Sequence, residues 1–276
     1  MPEGDTVHRA ARRMNAVLAG AEVTRFELRI PRPQRRAFAP AADDPDLRGQ
    51  TIREVAARGK HLLHRIGSDT LRTHLKMEGL WVVAHAGERW RRPAHSARVV
   101  IDVVDASGVS WQAVGFDVAQ VDLVPTVSED LLIGHLGPDP LGESWDAAEA
   151  ARRVGADPRP VHVAILDQRN VAGFGNEYAS ELLFLRGIPP TMPANRTDAA
   201  ALIDLGARLI RANVDRRQRV FTGDARPGRS TWVYGRDRRP CRRCGTPIRR
   251  IDLGADPTRE RIAFWCPRCQ PEPGQP

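Results

Sequence analysis

Four cysteines set the tightest constraint on this chain. Cys241 and Cys244 form one C-x-x-C pair, Cys266 and Cys269 form a second, and 21 residues separate the pairs. Two such knuckles at this distance, each followed by small or turn-forming residues, match a tetrahedral four-thiolate site for one Zn2+ ion. Four thiolates close the coordination sphere and leave no position for a substrate, so the metal is expected to be structural. Paired disulfides would require an oxidising compartment, and nothing else in the sequence implies one. The chain is therefore expected to end in a small zinc ribbon.

Charge around that ribbon is lopsided. The 276 residues carry a formal net charge of +8, yet from Leu205 onward there are 17 Arg and no Lys against 7 acidic residues, a local excess of +10. The first 204 residues then carry −2. A basic C-terminal third points to a polyanionic partner, most simply nucleic acid. An Arg-rich solvated surface is the plainer alternative. Lysine is nearly absent: Lys60 and Lys76 are the only two among 42 basic residues. Arg cannot release its proton at useful pH whereas an ammonium can be tuned to do so, which singles out both positions.

Periodicity divides the chain. Val7, Ala11, Met14 and Leu18 recur at helical steps and Gly20 supplies a stop, predicting a helix over residues 3–19. Eight short strands follow, over 22–30, 51–56, 61–66, 70–74, 80–84, 98–104, 109–113 and 120–124, with a Pro-rich loop at 31–45. Many short strands at this spacing suggest an antiparallel sandwich or barrel. Beyond Pro125 the pattern is helical: 130–135, a helix capped by Ser144 and running to Arg153, 160–168, 177–186 behind Asn176, and a long one from Thr197 to about Asn213. Residues 216–229 read as an Arg- and Gly-rich linker, and 231–234 as strand-like. The expected class is α+β: an antiparallel sandwich or barrel with a leading helix over 1–125, a helical domain over 126–225 and the cysteine module over 230–270. No apolar run approaches the roughly 18 residues of a membrane span, and Arg9, Arg12 and Arg13 interrupt any signal-like stretch.

The first residues admit two readings. If the initiator Met1 is removed, Pro2 becomes a free secondary amine with a pKa near 8, a useful fraction of it unprotonated at neutral pH. Such an amine can attack an electrophilic carbon and form an iminium, with Glu3 beside it to move a proton. Pro followed by acidic residues is also how a helix begins. Further on, Leu166-Asp167-Gln168-Arg169-Asn170-Val171-Ala172-Gly173-Phe174-Gly175-Asn176 reads as a helix end, a Gly-punctuated double turn and a new helix start. Backbone N–H groups at such a start bind anions, and Asn176 is either a plain cap or a ligand-facing amide. Met77, in the turn His74-Leu75-Lys76-Met77-Glu78-Gly79, is either core or an exposed apolar wedge for a base stack.

Taken in order, Met1-Pro2-Glu3-Gly4, Gly59-Lys60-His61-Leu62-Leu63, His74-Leu75-x-Met77-x-Gly79, Leu136-Gly137-Pro138-Asp139, the double turn, Val233-Tyr234-Gly235-Arg236 and Arg261 with the cysteines span nearly the whole chain. In these motifs the sequence resembles the formamidopyrimidine-DNA glycosylase/endonuclease VIII family of bacterial DNA repair glycosylases with lyase activity. The resemblance implies a β-sandwich with its leading helix, a helix–two-turn–helix domain and a zinc finger. By the same resemblance, Pro2 matches the nucleophile at the sugar C1′ and Glu3 the acid for the ring oxygen. Lys60 matches the phosphate contact and proton donor for β-elimination. Asn176 and Arg261 match phosphate clamps, Arg261 also the δ-elimination donor. Lys76 and Met77 fall in the loop that enters the duplex, and His135 stands where endonuclease VIII has a DNA-contacting Arg. The implied partner is double-stranded DNA with oxidised bases or abasic sites, met by a monomer in the bacterial cytoplasm. Two departures stand out. Where the formamidopyrimidine branch has Asp-Pro-Arg-Arg-Phe-Gly, this chain reads Trp111-Gln112-Ala113-Val114-Gly115-Phe116-Asp117, which favours the endonuclease VIII-like branch and oxidised pyrimidines. Thr6 replaces the family's usual Glu.

Overall fold

The computed structural model describes residues 2–30, 46–253 and 262–272. Met1, the Pro-rich loop 31–45 and Arg261 lie outside the described residues. The chain forms two compact units, Met1–His135 and Leu136–Pro276.

Unit 1 begins with α1 (Gly4–Leu18), whose apolar stripe Val7, Ala11, Met14 and Leu18 is buried. Eight strands follow: β1 (Glu22–Leu28), β2 (Ile52–Arg58), β3 (His61–Ile66), β4 (Asp69–His74), β5 (Leu80–His85), β6 (Ala97–Val104), β7 (Ser110–Phe116) and β8 (Gln120–Pro125). They make two four-stranded sheets, β1-β6-β7-β5 and β2-β3-β4-β8, with every pairing antiparallel. Alternate residues of both sheets share one core with α1, including Val23, Val99 and Ile101 from the first sheet and Ile52, Leu62 and Leu71 from the second. Asn15 ties α1 to the second sheet, its Oδ1 accepting the Val55 N–H at 2.7 Å. A four-residue helix, α2 (Asp130–Ile133), ends the unit. It stops short of the expected 130–135, so His135 stands beyond it and exposed.

Unit 2 is helical: α3 (Ala147–Gly155), α4 (Val161–Leu166), α5 (Asn176–Arg186) and α6 (Ala199–Asn213), followed by a two-stranded ribbon, β9 (Arg249–Asp252) with β10 (Ile262–Trp265). Three expected caps move by one or two residues. Asp146, not Ser144, caps α3 by accepting the Glu149 N–H. Asp198, not Thr197, caps α6, because the Thr197 hydroxyl donates back to the Ala194 carbonyl and closes the preceding turn. Gly175 holds the N-cap position of α5 in extended backbone, which makes Asn176 the first helical residue. α4 is shorter than the expected 160–168 because Asp167 is already extended.

The strand-like stretch at 231–234 is not a strand. Its backbone N–H groups have another acceptor: the buried Glu181 carboxylate on α5 takes those of Trp232, Val233 and Tyr234 at 2.8–2.9 Å. A single side chain thereby does what a neighbouring strand would do, and fixes the segment that leads to the ribbon. Among the described residues no helix is long and apolar enough to cross a membrane.

Candidate active site and metal centre

In unit 1 the chain enters α1 through Pro2, half-buried, and Glu3, wholly buried. Glu3 occupies the N-cap position in extended backbone (φ −117°), and its carbonyl accepts the N–H groups of Thr6 and Val7. Its side chain makes no cap bond. Pro2 therefore precedes the helix instead of forming its first turn. Asp5, also buried, accepts the Thr6 N–H at 2.6 Å and the Thr6 hydroxyl at 3.2 Å. Thr6 is thus absorbed into the helix start.

α1 packs on β2 and β3, and the tight turn joining these strands is Gly59-Lys60, with Gly59 at φ +58°. Lys60 opens onto a cluster sequence reasoning left without a role. His61 on β3 faces His74 on β4, ring centroids 5.0 Å apart. An Arg72 Nη donates to His61 Nδ1 at 3.2 Å, and Arg72 is itself held by a buried ion pair with Asp122. Because Arg only donates, the His61 proton sits on Nε2. Burial, then the nearby charges of His74, Arg72, His135 and Lys76, push the His61 imidazole down to about 2. Burial, then Lys76, Lys60 and Arg72, push His74 down to about 3. The structure therefore gathers Lys60, Lys76 and His135 around a neutral histidine pair.

His74 also shapes the next loop. Its Nδ1 accepts the Lys76 N–H at 2.9 Å, and Lys76 takes a left-handed φ of +53°, uncommon for a residue with a Cβ. The turn closes with the Gly79 N–H on the Leu75 carbonyl, where a Cβ on Gly79 would lie 2.5 Å from that oxygen. The outcome is Met77 projecting with 64% of its surface exposed, beside a cavity of about 380 Å³ lined by Lys76, Met77, Arg98 and Asp117 among others. Arg98 had no distinguishing signal in an Arg-rich sequence. His74 belongs to the His74-Leu75-x-Met77-x-Gly79 motif, but nothing in that pattern encodes its burial. Phe116, at the end of β7, is buried against Val100, Val114 and Trp90, so it cannot serve as a wedge.

Unit 2 holds the double turn between α4 and α5. The Gln168 amide ties it together: Nε2 donates to the Leu166 and Phe174 carbonyls, and Oε1 accepts the Gly173 N–H. Gly137 backs it so closely that a Cβ would lie 2.5 Å from the Arg169 carbonyl, which explains the Leu136-Gly137-Pro138-Asp139 motif. Asn176 is half-buried at the start of α5, and its side-chain amide has no hydrogen-bond partner among the described residues. A helix start that carries an unused side-chain amide suits an anion.

The four cysteines converge, their sulfurs all within 4.8 Å of one another. A tetrahedral zinc with bonds of about 2.3 Å would set sulfurs roughly 3.8 Å apart. Cys241–Cys269 at 3.9 Å and Cys244–Cys266 at 3.4 Å fit that frame. Burial, with neighbouring sulfurs adding to it, pushes the Cys266 and Cys269 thiols up, whereas hydrogen bonding with Thr246 pulls the Cys244 thiol down to about 6. Four sulfurs this close become thiolates together only around a cation.

Comparison with known proteins accords with this layout. Residues 1–112 match the formamidopyrimidine-DNA glycosylase N-terminal domain and residues 136–215 the formamidopyrimidine-DNA glycosylase H2TH domain. The chain is 45% identical to a probable endonuclease 8 2 of Streptomyces coelicolor, over 99% of this chain and 97% of that protein. It is 40% identical to the DNA-(apurinic or apyrimidinic site) lyase Nei2 of Mycolicibacterium smegmatis, over 98% and 99%. A solved complex of Lactococcus lactis Fpg with abasic-site DNA shares the fold, with TM-score 0.75 over 98% of this chain and 100% of that one, at 23% identity. With two domain matches and full-length relatives at this identity, the chain belongs to the formamidopyrimidine-DNA glycosylase/endonuclease VIII family.

Proposed function

We propose that this protein is a bifunctional DNA glycosylase and abasic-site lyase of base excision repair, acting chiefly on oxidised pyrimidines. The observation that carries the reading is the start of the chain: a wholly buried Glu3 carboxyl directly behind a half-buried Pro2, at the head of a well-packed helix. Binding alone would need neither group.

In the proposed reaction Met1 is absent and the Pro2 nitrogen attacks C1′ of the damaged nucleotide. The C1′–base bond breaks and the base leaves with its electron pair and a proton. Glu3 protonates the sugar ring oxygen, which opens the ring and leaves an iminium between Pro2 and C1′. The iminium draws electrons from C2′, which loses a proton, and the 3′ phosphate departs with the C3′–O electrons, with Lys60 as proton donor. A second elimination, with Arg261 as donor, releases the 5′ phosphate. Met77 fills the hole left by the flipped base. Lys76, His135, Asn176 and Arg261 grip phosphates, which fixes register without reading sequence. The working parts are residues 1–125 for catalysis, 126–225 for DNA binding and 230–270 for a zinc finger. A zinc ion held by Cys241, Cys244, Cys266 and Cys269 serves the fold and takes no part in the chemistry. The enzyme acts as a monomer in the cytoplasm on duplex DNA. The buried Phe116 and the missing Arg-containing wedge support the oxidised-pyrimidine class.

Borohydride trapping on duplexes tests this. Met-cleaved, metal-loaded protein should form a covalent adduct at its N-terminal peptide with abasic DNA. Glu3→Gln should lose excision of thymine glycol and 5-hydroxyuracil far more than cleavage of a preformed abasic site. No adduct would overturn the enzyme reading. Equal loss of both activities would overturn the role of Glu3, and efficient 8-oxoguanine excision opposite cytosine would overturn the lesion class.

A further inference from the structure

The first sheet of unit 1 ends at β5, which pairs with β7 on one side only. An edge strand presents unpaired N–H and C=O groups, and proteins ordinarily blunt such edges with charges, proline or bulges. The other three sheet edges of the unit carry these devices. β1 has Glu22, Arg25 and Glu27 with a register break between Val23 and Arg25. β2 has Arg53 and Glu54 with a similar break. β8 has Asp122 and ends at Pro125. β5 reads Leu80-Trp81-Val82-Val83-Ala84-His85, without a charged acid or base, proline or break in register.

Its open side can be assigned. The Ala86 N–H donates to Ser110 on the β7 side, so alternation sends the N–H groups of Trp81, Val83 and His85 outward. That of His85 meets the Glu88 carboxylate at 3.3 Å. Among the described residues no side chain or loop accepts from the other two.

Beside this edge lies a cavity of about 150 Å³ on the outer sheet face. Its floor is built from facing pairs, Val82 opposite Val114 and Ala84 opposite Gln112, with Phe116 beside them and Trp90 as a wall. It is smaller than the roughly 300–1,000 Å³ of small-molecule sites and suits one side chain. Its rim carries Arg89, Arg91 and Arg92 against Glu88. Arg92 is paired with Asp117, whereas Arg89 and Arg91 are exposed and have no acidic partner among the described residues.

We propose that the open edge of β5 and the adjoining slot dock an extended acidic peptide segment of a partner protein, which adds a strand to the sheet and buries one large apolar side chain against Val82, Trp90, Val114 and Phe116. A peptide backbone matches alternating donors and acceptors, as in strand addition elsewhere. A nucleic acid does not, since its phosphates would meet outward carbonyls. Nor does the slot suit a base. One face of Trp90 is covered by the Arg29 guanidinium at 5.1 Å. The one amide within reach, Gln112, is used up by the Trp90 Nε1 donor and the Asp102 acceptor. The polar edge of a base would be buried unpaired. The rim arginines instead complement acidic residues flanking the anchor.

The test uses full-length, metal-loaded protein and a displayed library of random nonapeptides. Enriched peptides are synthesised and titrated by fluorescence anisotropy against the wild type, Val82→Lys and the double variant Arg89→Glu/Arg91→Glu. The expected result is enrichment of Asp- and Glu-rich peptides with a central aromatic or large aliphatic residue, weakened about tenfold by either variant. Bound peptide should also slow amide exchange at Trp81 and Val83. No enrichment, or enriched peptides that bind both variants like the wild type, would overturn the proposal. So would an undamaged single-stranded oligonucleotide emerging as the ligand that both variants lose. Val82, Arg89 and Arg91 have no part in the proposed chemistry, so abasic-site cleavage should be unchanged in both variants.

Discussion

Burial holds three histidines of unit 1 neutral. His61 and His74 are pushed down to about 2 and about 3 by burial and then by the cations around them. His64, packed 4.4 Å from Trp81, is pushed down to about 4 by burial. In the unfolded chain each would titrate near 6.5. The unfolded state therefore takes up protons first as pH falls, and stability that is fully present above about 6.5 is lost below it. Between about pH 6 and 4 the loss should approach 1.4 kcal/mol per pH unit for each histidine. Urea unfolding followed by tryptophan fluorescence at stepped pH measures it, and His64→Leu should remove about one proton's share of the slope. An unchanged slope in that variant would contradict the burial account. The same residues mark how far a sequence can be read. Lys60 and Lys76 stand out because the chain uses Arg everywhere else. The neutral state of His61 and His74 does not, because it depends on their burial between paired strands and on the cations the fold brings beside them.

At the scale of elements, α5 binds two parts of unit 2 through one side chain. Burial pushes the Glu181 carboxyl up to about 7 although three backbone N–H groups pull the other way. Those donors belong to residues 232–234 and have no strand beside them. Glu181→Ala would strand three N–H groups at once, a cost of about 3 kcal/mol or more. Glu181→Gln retains one acceptor oxygen and should cost less. Chemical unfolding of the metal-loaded protein ranks the two variants, and equal stability of Glu181→Ala and wild type would dismiss the clamp. Element type was legible where burial imposes a period, as in α1 and the eight strands. Element ends were less so, because Ser144 competes with Asp146 and Thr197 with Asp198 as caps of equal aptitude, and only loop geometry decides. The stretch 231–234 has β-forming side chains, yet a carboxylate some fifty residues earlier takes the hydrogen bonds a strand would use.

For the whole molecule, the order of motifs was legible because each marks a place where backbone or chemistry tolerates few residues, such as Gly137 against the double turn. The β5 edge was not, since which strand ends a sheet depends on topology that no local pattern encodes. Each unit has its own core, and a third cluster in unit 2 contains the metal ligands themselves: Cys241 and Cys266 are buried with Phe184, Val233 and Ile248. With so few apolar partners the ribbon depends on its metal, and binding of a structural zinc supplies about 10–16 kcal/mol in isolated fingers. Chelation should therefore release one equivalent of metal, expose four titratable thiols and speed amide exchange across β9 and β10. Amides of β3, β4 and β6 should keep their protection, because the core of unit 1 contains none of the ligands. DNA affinity should fall together with the ribbon, since 17 arginines lie from Leu205 onward and two of them, Arg249 and Arg250, stand exposed on β9. Chelated protein that keeps ribbon protection and four unreactive thiols would mean that something other than a metal closes this site.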